Sequence, residues 1–490
     1  MILVLSGCLS APTEPEAPLS AAVGGPAPHA SVATDTADAL AAGAVELPIR
    51  WSDVPIVVGA GPSGLAAAMD LGDALVLESA DAVGGRARWA GGFLFMVGTE
   101  EQASFGSMDT PELAAADWEA LTGAPPTDAT RTFLAATDGI RDRLAGMGLA
   151  FRLDRPEPVT RLLREHAPTG GGPGLIAALV DHLPEGVEVR LSTPVRGLVF
   201  VDGVAAGVRT DEGWIGADTV VIASGGFVDR ADLVELHTGW ADGAWRLGSD
   251  YGADGAAIDW AAESGLGTST LEALGVYRDV IGVPGADGDA MRFDSAMVYP
   301  WVWVDSTGTR FVDESATWSV LLSGLANSRP NVWAVTTKES VAAHVADEDI
   351  PLLVEGESWR CASDWTALAD DIGVDPTALT DTMMGVFSIG ARSMADPFGR
   401  GPSTFAVADG GTPCAFRPGS IAAKNFGGLA VDADGRVLDA AGGVVPGLWA
   451  VGEAAGMGVP GMGGAWGFDG SLSAVLWSGW RTAAAIRAER

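Results

Sequence analysis

The sequence predicts an α/β protein organised on a parallel sheet, and three observations predict it. Residues 53–64, DVPIVVGAGPSG, run a short apolar strand into a glycine-rich turn. Residues 74–77 form a second apolar strand after an Ala-rich stretch, and it ends in Glu78. Residues 219–223 form a third apolar strand that ends in Ser224-Gly225-Gly226-Phe227. Strands buried on both faces of a parallel sheet read as such runs, and each needs a helical crossover to the next.

The first strand, residues 54–58, is broken only by Pro55. Gly59, Gly61 and Gly64 then give G-x-G-x-x-G, with Pro62 and Ser63 inside it, and residues 65–71 continue as an Ala-rich helix. The first glycine permits the tight turn, the second lets backbone approach a pyrophosphate, and the third lets helix pack on strand. The diphosphate then rests on free N–H groups at the positive end of the helix. Glu78 lies nineteen residues beyond Gly59, where a carboxylate can accept hydrogen bonds from an adenosine ribose. This is a Rossmann-like βαβ dinucleotide site. Two glycine pairs follow, Gly84-Gly85 (before Arg86) and Gly91-Gly92, and they suggest backbone lying against a flat ligand with no side chains between.

Helical patterns cover residues 110–118, 131–147 and 175–183, the last after Gly170-Gly171-Gly172. Residues 187–191 and 195–201 read as strands, another begins at Gly207, and residues 252–265 turn on Gly and Asp into a helix. His166 stands in a turn before the triple glycine, a place where a histidine is usually solvated. From about residue 276 to 423 the character changes. Residues 298–304 are strand-like and carry Trp301 and Trp303; Arg310 and Glu314 are expected to fix the strand-to-helix turn that follows, and mixed helical segments come next. Residues 427–431, 437–438 and 448–451 read as strands, and residues 468–486 as a long helix opening at Asp469-Gly470-Ser471. No internal repeat is present.

At 490 residues and 48% hydrophobic composition the chain is long enough for two or three cored domains. Its formal charge of −35, with 64 acidic against 29 basic residues, would repel nucleic acid and anionic lipid head groups. Lys338 and Lys424 are the only lysines. No apolar run reaches the ~18 residues of a spanning helix. Residues 1–8, MILVLSGC, resemble a bacterial lipobox whose Cys8 would be lipidated, although a basic n-region is missing and the apolar run is short. Residues 9–48 are rich in Ala, Pro, Gly, Ser and acidic groups, as a flexible tether should be. The expectation is attachment to, or residence in, a bacterial cell envelope, with a cytoplasmic tail as the alternative. Cys361 and Cys414 fit no zinc or haem spacing; a disulfide and two unrelated thiols both stay open.

Several motifs together resemble the flavoprotein family of fumarate reductases, succinate dehydrogenases and 3-ketosteroid dehydrogenases. They are VVGAGPSGLAAA at 57–68, VGGR at 83–86, VVIASGGF at 220–227, GADG at 252–255 and GTRFVDE at 308–314. DPFGR at 396–400, FGGLAVD at 426–432, PGLWAVGEAAG at 446–456 and GFDGSL at 467–472 extend the likeness over residues 52 to 490. The resemblance implies FAD, bound non-covalently because the family's covalent-flavin histidine has no counterpart before Gly91. It implies a tether over residues 1–50, an FAD-binding domain split between 51–275 and 424–490, and an inserted α+β capping domain over 276–423. Beyond the glycines already named, Ala223, Gly225, Gly226 and Gly452 would line the cofactor, and Glu453 would hold the ribityl chain. The backbone of Gly470, Ser471 and Leu472 would face the flavin O2 edge, where a helix N-terminus stabilises charge that develops on reduction. Arg86 has a second reading as an ion-pair partner at the sheet edge.

On the substrate side this sequence departs from the fumarate reductases. Trp318 stands at the position of their proton-donating arginine, Lys424 replaces a substrate-binding histidine, Trp466 a carboxylate-binding arginine and Met297 a relay arginine. A dicarboxylate needs cationic clamps, so fumarate and succinate are not expected substrates. Steroid dehydrogenases use tyrosines, and this chain has only Tyr251, Tyr277 and Tyr299. The substrate pocket is expected to be apolar and aromatic, drawn from Trp301, Trp303, Trp318, Trp466 and Met462. Lys424, Tyr299 and Trp318 are the catalytic candidates. The expected reaction moves a hydride between flavin N5 and a carbon–carbon bond beside a carbonyl, with a quinone or another external carrier exchanging the electrons. A GG-doublet amine oxidase and a non-catalytic flavin or ligand carrier are the alternatives.

Overall fold

The computed structural model describes residues 50–122, 125–153, 162–238, 246–247, 252–280, 301–314, 332–344, 359–392, 395–400, 410–458 and 471–490. Its centre is a six-stranded sheet in the order Arg436–Leu438, Val444–Ala450, Val220–Ile222, Ile56–Val58, Asp73–Leu77, Gly186–Arg190. The pairs are parallel except for Arg436–Leu438, which runs antiparallel at one edge. Ile56, Val57, Val220, Val221 and Ile222 have no exposed surface, which is why these strands read as apolar runs without alternation. Each expected strand and helix around the opening glycines is present, with helix Pro62–Leu71 between the first two strands.

That helix crosses the terminal helix, Leu472–Glu489, at very short range. A Cβ on Gly479 would stand 2.4 Å from the carbonyl oxygen of Ser63, so only glycine lets the two backbones meet. The first and last helices of the core are thereby packed against each other on one face of the sheet. A second sheet, Arg50–Trp51, Gly213–Gly216, Val204–Thr210 and Val195–Val201, stands beside the central one. A third pairs Glu165–Pro168 with Leu94–Phe95 and Phe151–Leu153. His166 is a fully buried residue of that strand rather than a solvated turn residue. Its ring bonds Thr99 Oγ1 at 2.8 Å and the Arg164 carbonyl at 2.9 Å, and burial pushes its pKa down.

The chain leaves the core along Leu274–Val280 and returns along Pro418–Asn425; the two strands are antiparallel neighbours, with Leu274 opposite Asn425. Between them in sequence lies a four-stranded sheet, Val302–Val304, Trp333–Thr337, Pro413–Phe416 and Arg360–Cys361, with helices Trp365–Ile372 and Pro376–Arg392. Helices Lys338–His344, Trp365–Ile372 and Pro376–Arg392 meet the expectation of mixed helical segments after residue 314, but strands Trp333–Thr337 and Pro413–Phe416 were not expected among them. Trp333–Thr337 and Pro413–Phe416 are buried at every position, so neither shows the alternation that marks a half-exposed strand. Trp301 and Trp303 belong to this sheet's interior: both are buried, and Trp301 packs edge-on against Phe416 at 4.5 Å. Among the described residues they pack as core of this sheet.

Two motifs meet in the same region. Glu314 accepts from Arg310 at 2.9 and 2.7 Å, from Arg400 at 2.9 Å and from the Trp303 amide at 2.9 Å, and Arg310 also pairs with Asp396. Arg400 in turn donates to the Trp301 carbonyl at 2.7 Å. Arg310 and Glu314 therefore hold a buried network as well as a turn. Cys361 and Cys414, opposite one another on neighbouring strands, are joined by a disulfide. Among the described residues no helix is long and apolar enough to cross a membrane, and no cluster of His, Cys, Asp and Glu could hold a metal ion.

Candidate functional site

The loops that follow Val58, Leu77, Ile222 and Ala450 all emerge at the C-terminal edge of the central sheet, where ligands of open parallel sheets bind. The first is the glycine turn. Gly59 has φ +104°, and a Cβ there would lie 2.4 Å from the Ala223 carbonyl oxygen; one on Gly64 would lie 2.0 Å from the Gly59 oxygen. Those two glycines are demanded by the protein's own packing. Gly61 is different: a Cβ there would meet nothing within 4 Å. Its open face lies at the N-cap of helix Pro62–Leu71, which has proline at its first position, no side-chain cap and no acidic residue in its first turn. These are the conditions for an anion on free backbone amides.

Glu78 is buried at the rim of that turn. Its carboxylate accepts from the Ala60 amide at 2.7 Å and the Ala80 amide at 2.9 Å, which fixes it beside the phosphate loop. The Gly84 amide donates to the Ala60 carbonyl at 2.8 Å, and Gly85 approaches Gly61 closely enough that its Cβ would stand 3.4 Å from the Gly61 Cα. Gly85 thus borders the open face, while a Cβ on Gly84 would meet Arg88 Cγ at 2.7 Å and Ile176 at 3.0 Å. The second pair has another explanation. A Cβ on Gly92 would strike the Gly171 and Gly172 backbone at 2.5 and 2.6 Å, and one on Gly91 would strike the Phe93 ring at 2.7 Å. Gly92 lets two protein segments touch, which accounts for its missing side chain without a ligand.

Arg86 forms its ion pair with Asp229 at 3.3 Å, and the same aspartate accepts from the Ala253 amide at 2.8 Å. Ala223, Gly225 and Gly226 carry the backbone over the third strand's end, and Gly226 is pressed against Asn425. Asn425 has no exposed surface. Its Oδ1 accepts from the Phe227 amide at 3.0 Å, and its Nδ2 donates to the carbonyls of Gly427 at 2.6 Å and Glu453 at 3.2 Å. One amide side chain therefore holds three loops of the site together. Gly452 completes the join: its amide accepts no freedom, donating to Ser478 Oγ at 3.0 Å, and a Cβ on it would hit Ser63 Oγ at 2.4 Å.

Glu453 lies between the charges. Burial pushes its carboxyl pKa up, Arg86 and Lys424 pull it back down, and Asp229 pushes it up again. Lys424 is half-buried, with its ammonium 3.4 Å from Ser471 Oγ and 5.7 Å from the Phe426 ring centre. Ser471 is the N-cap of helix Leu472–Glu489, whose first turn has no acidic residue and whose cap side chain makes no hydrogen bond to the helix's own amides. In that same turn Ser473 Oγ is buried with no hydrogen-bond partner among the described residues, and Ser224 Oγ, beside Gly225, is another such atom. Buried hydroxyls are normally bonded, so orphans at both sides of the site mark where a polar ligand belongs.

Of the expected site residues, Gly59, Gly61, Pro62, Ser63, Gly64, Glu78, Gly84, Gly85, Arg86, Ala223, Gly225, Gly226, Gly452, Glu453, Lys424, Ser471 and Leu472 come from the loops and helix ends just described. Tyr299, Trp318 and Gly470, with Met297, Met462 and Trp466, lie outside the described residues. Asp229, Asn425 and Ser478 were missed. The first two stand immediately beside quoted motifs, VVIASGGF and FGGLAVD, and that adjacency was the available signal.

Comparison with known proteins agrees with this geometry. Residues 54–465 match the family model described as FAD binding domain. A fumarate reductase (cytochrome) of Shewanella frigidimarina is 25% identical over 427 residues, covering 82% of this chain and 72% of that protein. A KsdD-like steroid dehydrogenase of Mycolicibacterium smegmatis is 24% identical over 528 residues, covering 85% and 95%. Among solved structures, 3-ketosteroid delta1-dehydrogenase from Sterolibacterium denitrificans superposes with a TM-score of 0.74 at 17% identity, over 89% of this chain and 99% of that one, a likeness of fold.

Proposed function

The chain belongs to the FAD-binding-domain family of flavin-dependent oxidoreductases, and on that premise we propose that it acts on a carbon–carbon bond beside a carbonyl in an apolar or aromatic substrate other than fumarate or succinate. The residues present fit FAD. Gly61 leaves open space at the helix start where the diphosphate would rest, Glu78 would hold the adenosine ribose and Glu453 the ribityl chain, and the orphaned Ser473 hydroxyl at the start of the terminal helix supports a polar ligand there. When bound, FAD supplies a hydride acceptor or donor at N5. We take it as non-covalent, since the family's flavin-attaching histidine has no counterpart before Gly91 in this sequence.

The observation that carries the reading is the polarity of the site. Its described cations are Arg86, paired with Asp229, and Lys424, set against Ser471 and Phe426; the sequence places Trp318 and Trp466 where fumarate reductases hold arginines. Bidentate arginine clamps are what a dicarboxylate requires. The proposed roles of Tyr299 and Trp318 are to hold the substrate carbonyl and to shape the pocket, under a cap formed by residues 276–423. Electrons would pass to an external carrier such as a quinone. The Cys361–Cys414 disulfide supports work in an oxidising compartment, in keeping with the lipobox-like start, whose residues lie outside those described.

The test is anaerobic bleaching of the purified FAD protein by panels of saturated ketones, ketosteroids, amines and succinate, with the reverse assay on enones and fumarate. Bleaching by ketones, or reoxidation by enones, is the expected result. Bleaching by amines alone, or turnover of fumarate or succinate, would overturn the proposal.

A further inference from the structure

We propose that Lys424 serves the flavin rather than the substrate: its ammonium lies at the ring edge where negative charge gathers on reduction, and it raises the affinity of the bound FAD for electrons. This rests on the reading of the site as an FAD site. Helices Pro62–Leu71 and Leu472–Glu489 touch at Ser63 and Gly479. From Gly479 back to Ser471 is eight residues of helix, a rise of about 12 Å. A cofactor whose diphosphate rested at the first helix start would bring its ring toward the second, after the length of the ribityl chain. Glu453 lies along that path, within electrostatic reach of both Arg86 and Lys424.

At the second helix start three observations converge. The helix has no side-chain cap, Ser473 Oγ is buried without a partner among the described residues, and Lys424 Nζ stands 3.4 Å from Ser471 Oγ. The lysine is held in place by contacts that do not involve substrate. Its strand is registered on Leu274–Val280, its neighbour Asn425 is locked to three loops, and its ammonium lies over the Phe426 ring. Arg86 is paired with Asp229, and among the described residues Lys424 and Glu453 are further charged groups of the site. Of these, Lys424 is the one at the helix start, where its charge adds to the partial positive charge of the helix end.

The experiment compares wild type with Lys424→Met, Lys424→Gln and Lys424→Arg, each carrying FAD, with no substrate present. Sulfite is the probe, because its adduct at N5 leaves negative charge on the N1–O2 edge; the two-electron potential is read in parallel by dye equilibration. The expected result is a sulfite affinity at least about tenfold weaker in Lys424→Met and Lys424→Gln, a potential lower by about 30 mV, and recovery of both in Lys424→Arg. FAD content is measured first. FAD-loaded neutral variants with sulfite affinity within about twofold of wild type and a potential within about 9 mV of it would overturn the proposal. So would a change confined to KM in a separate turnover assay with substrate, which would make Lys424 a substrate clamp. Loss of FAD from both neutral variants but not from Lys424→Arg would also overturn it, since the lysine would then hold the cofactor and not tune it. The substrate panels decide the proposed reaction separately, so either idea can fall alone.

Discussion

Gly59 and Gly61 are two residues apart, and alanine at each is expected to fail in a different way. At Gly59 the new Cβ meets the Ala223 carbonyl at 2.4 Å with the backbone at φ +104°, so Gly59→Ala should cost about 2–4 kcal/mol and lower the melting temperature of apo-protein. At Gly61 the Cβ meets nothing, so Gly61→Ala apo-protein should melt within about 1 °C of wild type while FAD binds at least about tenfold more weakly. Melts of apo-protein and FAD titrations check both. Glu453 is the second case. Burial raises its carboxyl pKa above that of the unfolded chain, so the folded state holds the proton more tightly. Its contribution is fully present below pH ~4.5 and is lost as pH rises through the raised pKa. Apo Glu453→Gln should therefore melt higher than wild type at pH 7–8, with the difference fading toward pH ~4.5, and should bind FAD more weakly. Equal melting at both pH values would refute the assignment. Spacing made the glycines legible in the sequence, because backbone sterics leave no substitute. Asn425 and Asp229 were not legible, since their partners Phe227 and Arg86 stand 198 and 143 residues away.

The strands of the central sheet could be read with small errors at their ends; in the inserted region the strand Val302–Val304 falls within the one read at 298–304, but its partners Trp333–Thr337 and Pro413–Phe416 were not legible. The core strands are apolar runs bounded by glycines. Trp333–Thr337 mixes tryptophan and threonine and is buried throughout, so neither periodicity nor composition singles it out. Its sheet is held by features that only pairing reveals: the Arg310–Glu314–Arg400 network and the Cys361–Cys414 bridge. The bridge separates its two cysteines by 53 residues, and closing a loop of that length is worth about 4 kcal/mol in the chain-entropy account. Cys361→Ser with Cys414→Ser, or reduction by dithiothreitol, should lower the melting temperature of the inserted region. FAD content should not change, because the bridge lies in a sheet apart from the phosphate loop. Loss of FAD on reduction would show that the two regions are coupled more tightly than their separate sheets suggest.

At the scale of the molecule, the chain closes on itself through its cofactor site. The opening glycines were legible as a dinucleotide cradle; that the last helix meets the first at Gly479, and that a lysine marks its start, needed the fold. The charge of −35 acts at this scale too. Surface ion pairs such as Arg196–Asp211 and the cluster of Arg436 with Asp432, Asp434 and Glu489 answer part of it, but 29 basic residues cannot neutralise 64 acidic ones. Repulsion among like charges destabilises the compact state, and salt screens it, shortening its range from about 30 Å at 0.01 M to about 3 Å at 1 M. The protein should therefore gain several degrees in melting temperature between ~0.01 M and ~1 M NaCl, with most of the gain below the concentration at which the screening length falls under the spacing of surface charges. The FAD diphosphate should bind more tightly over the same range, since it enters a negatively charged molecule and screening lowers that barrier. Melting that is flat or falls with salt would mean that the ion pairs, which screening weakens, outweigh the net repulsion.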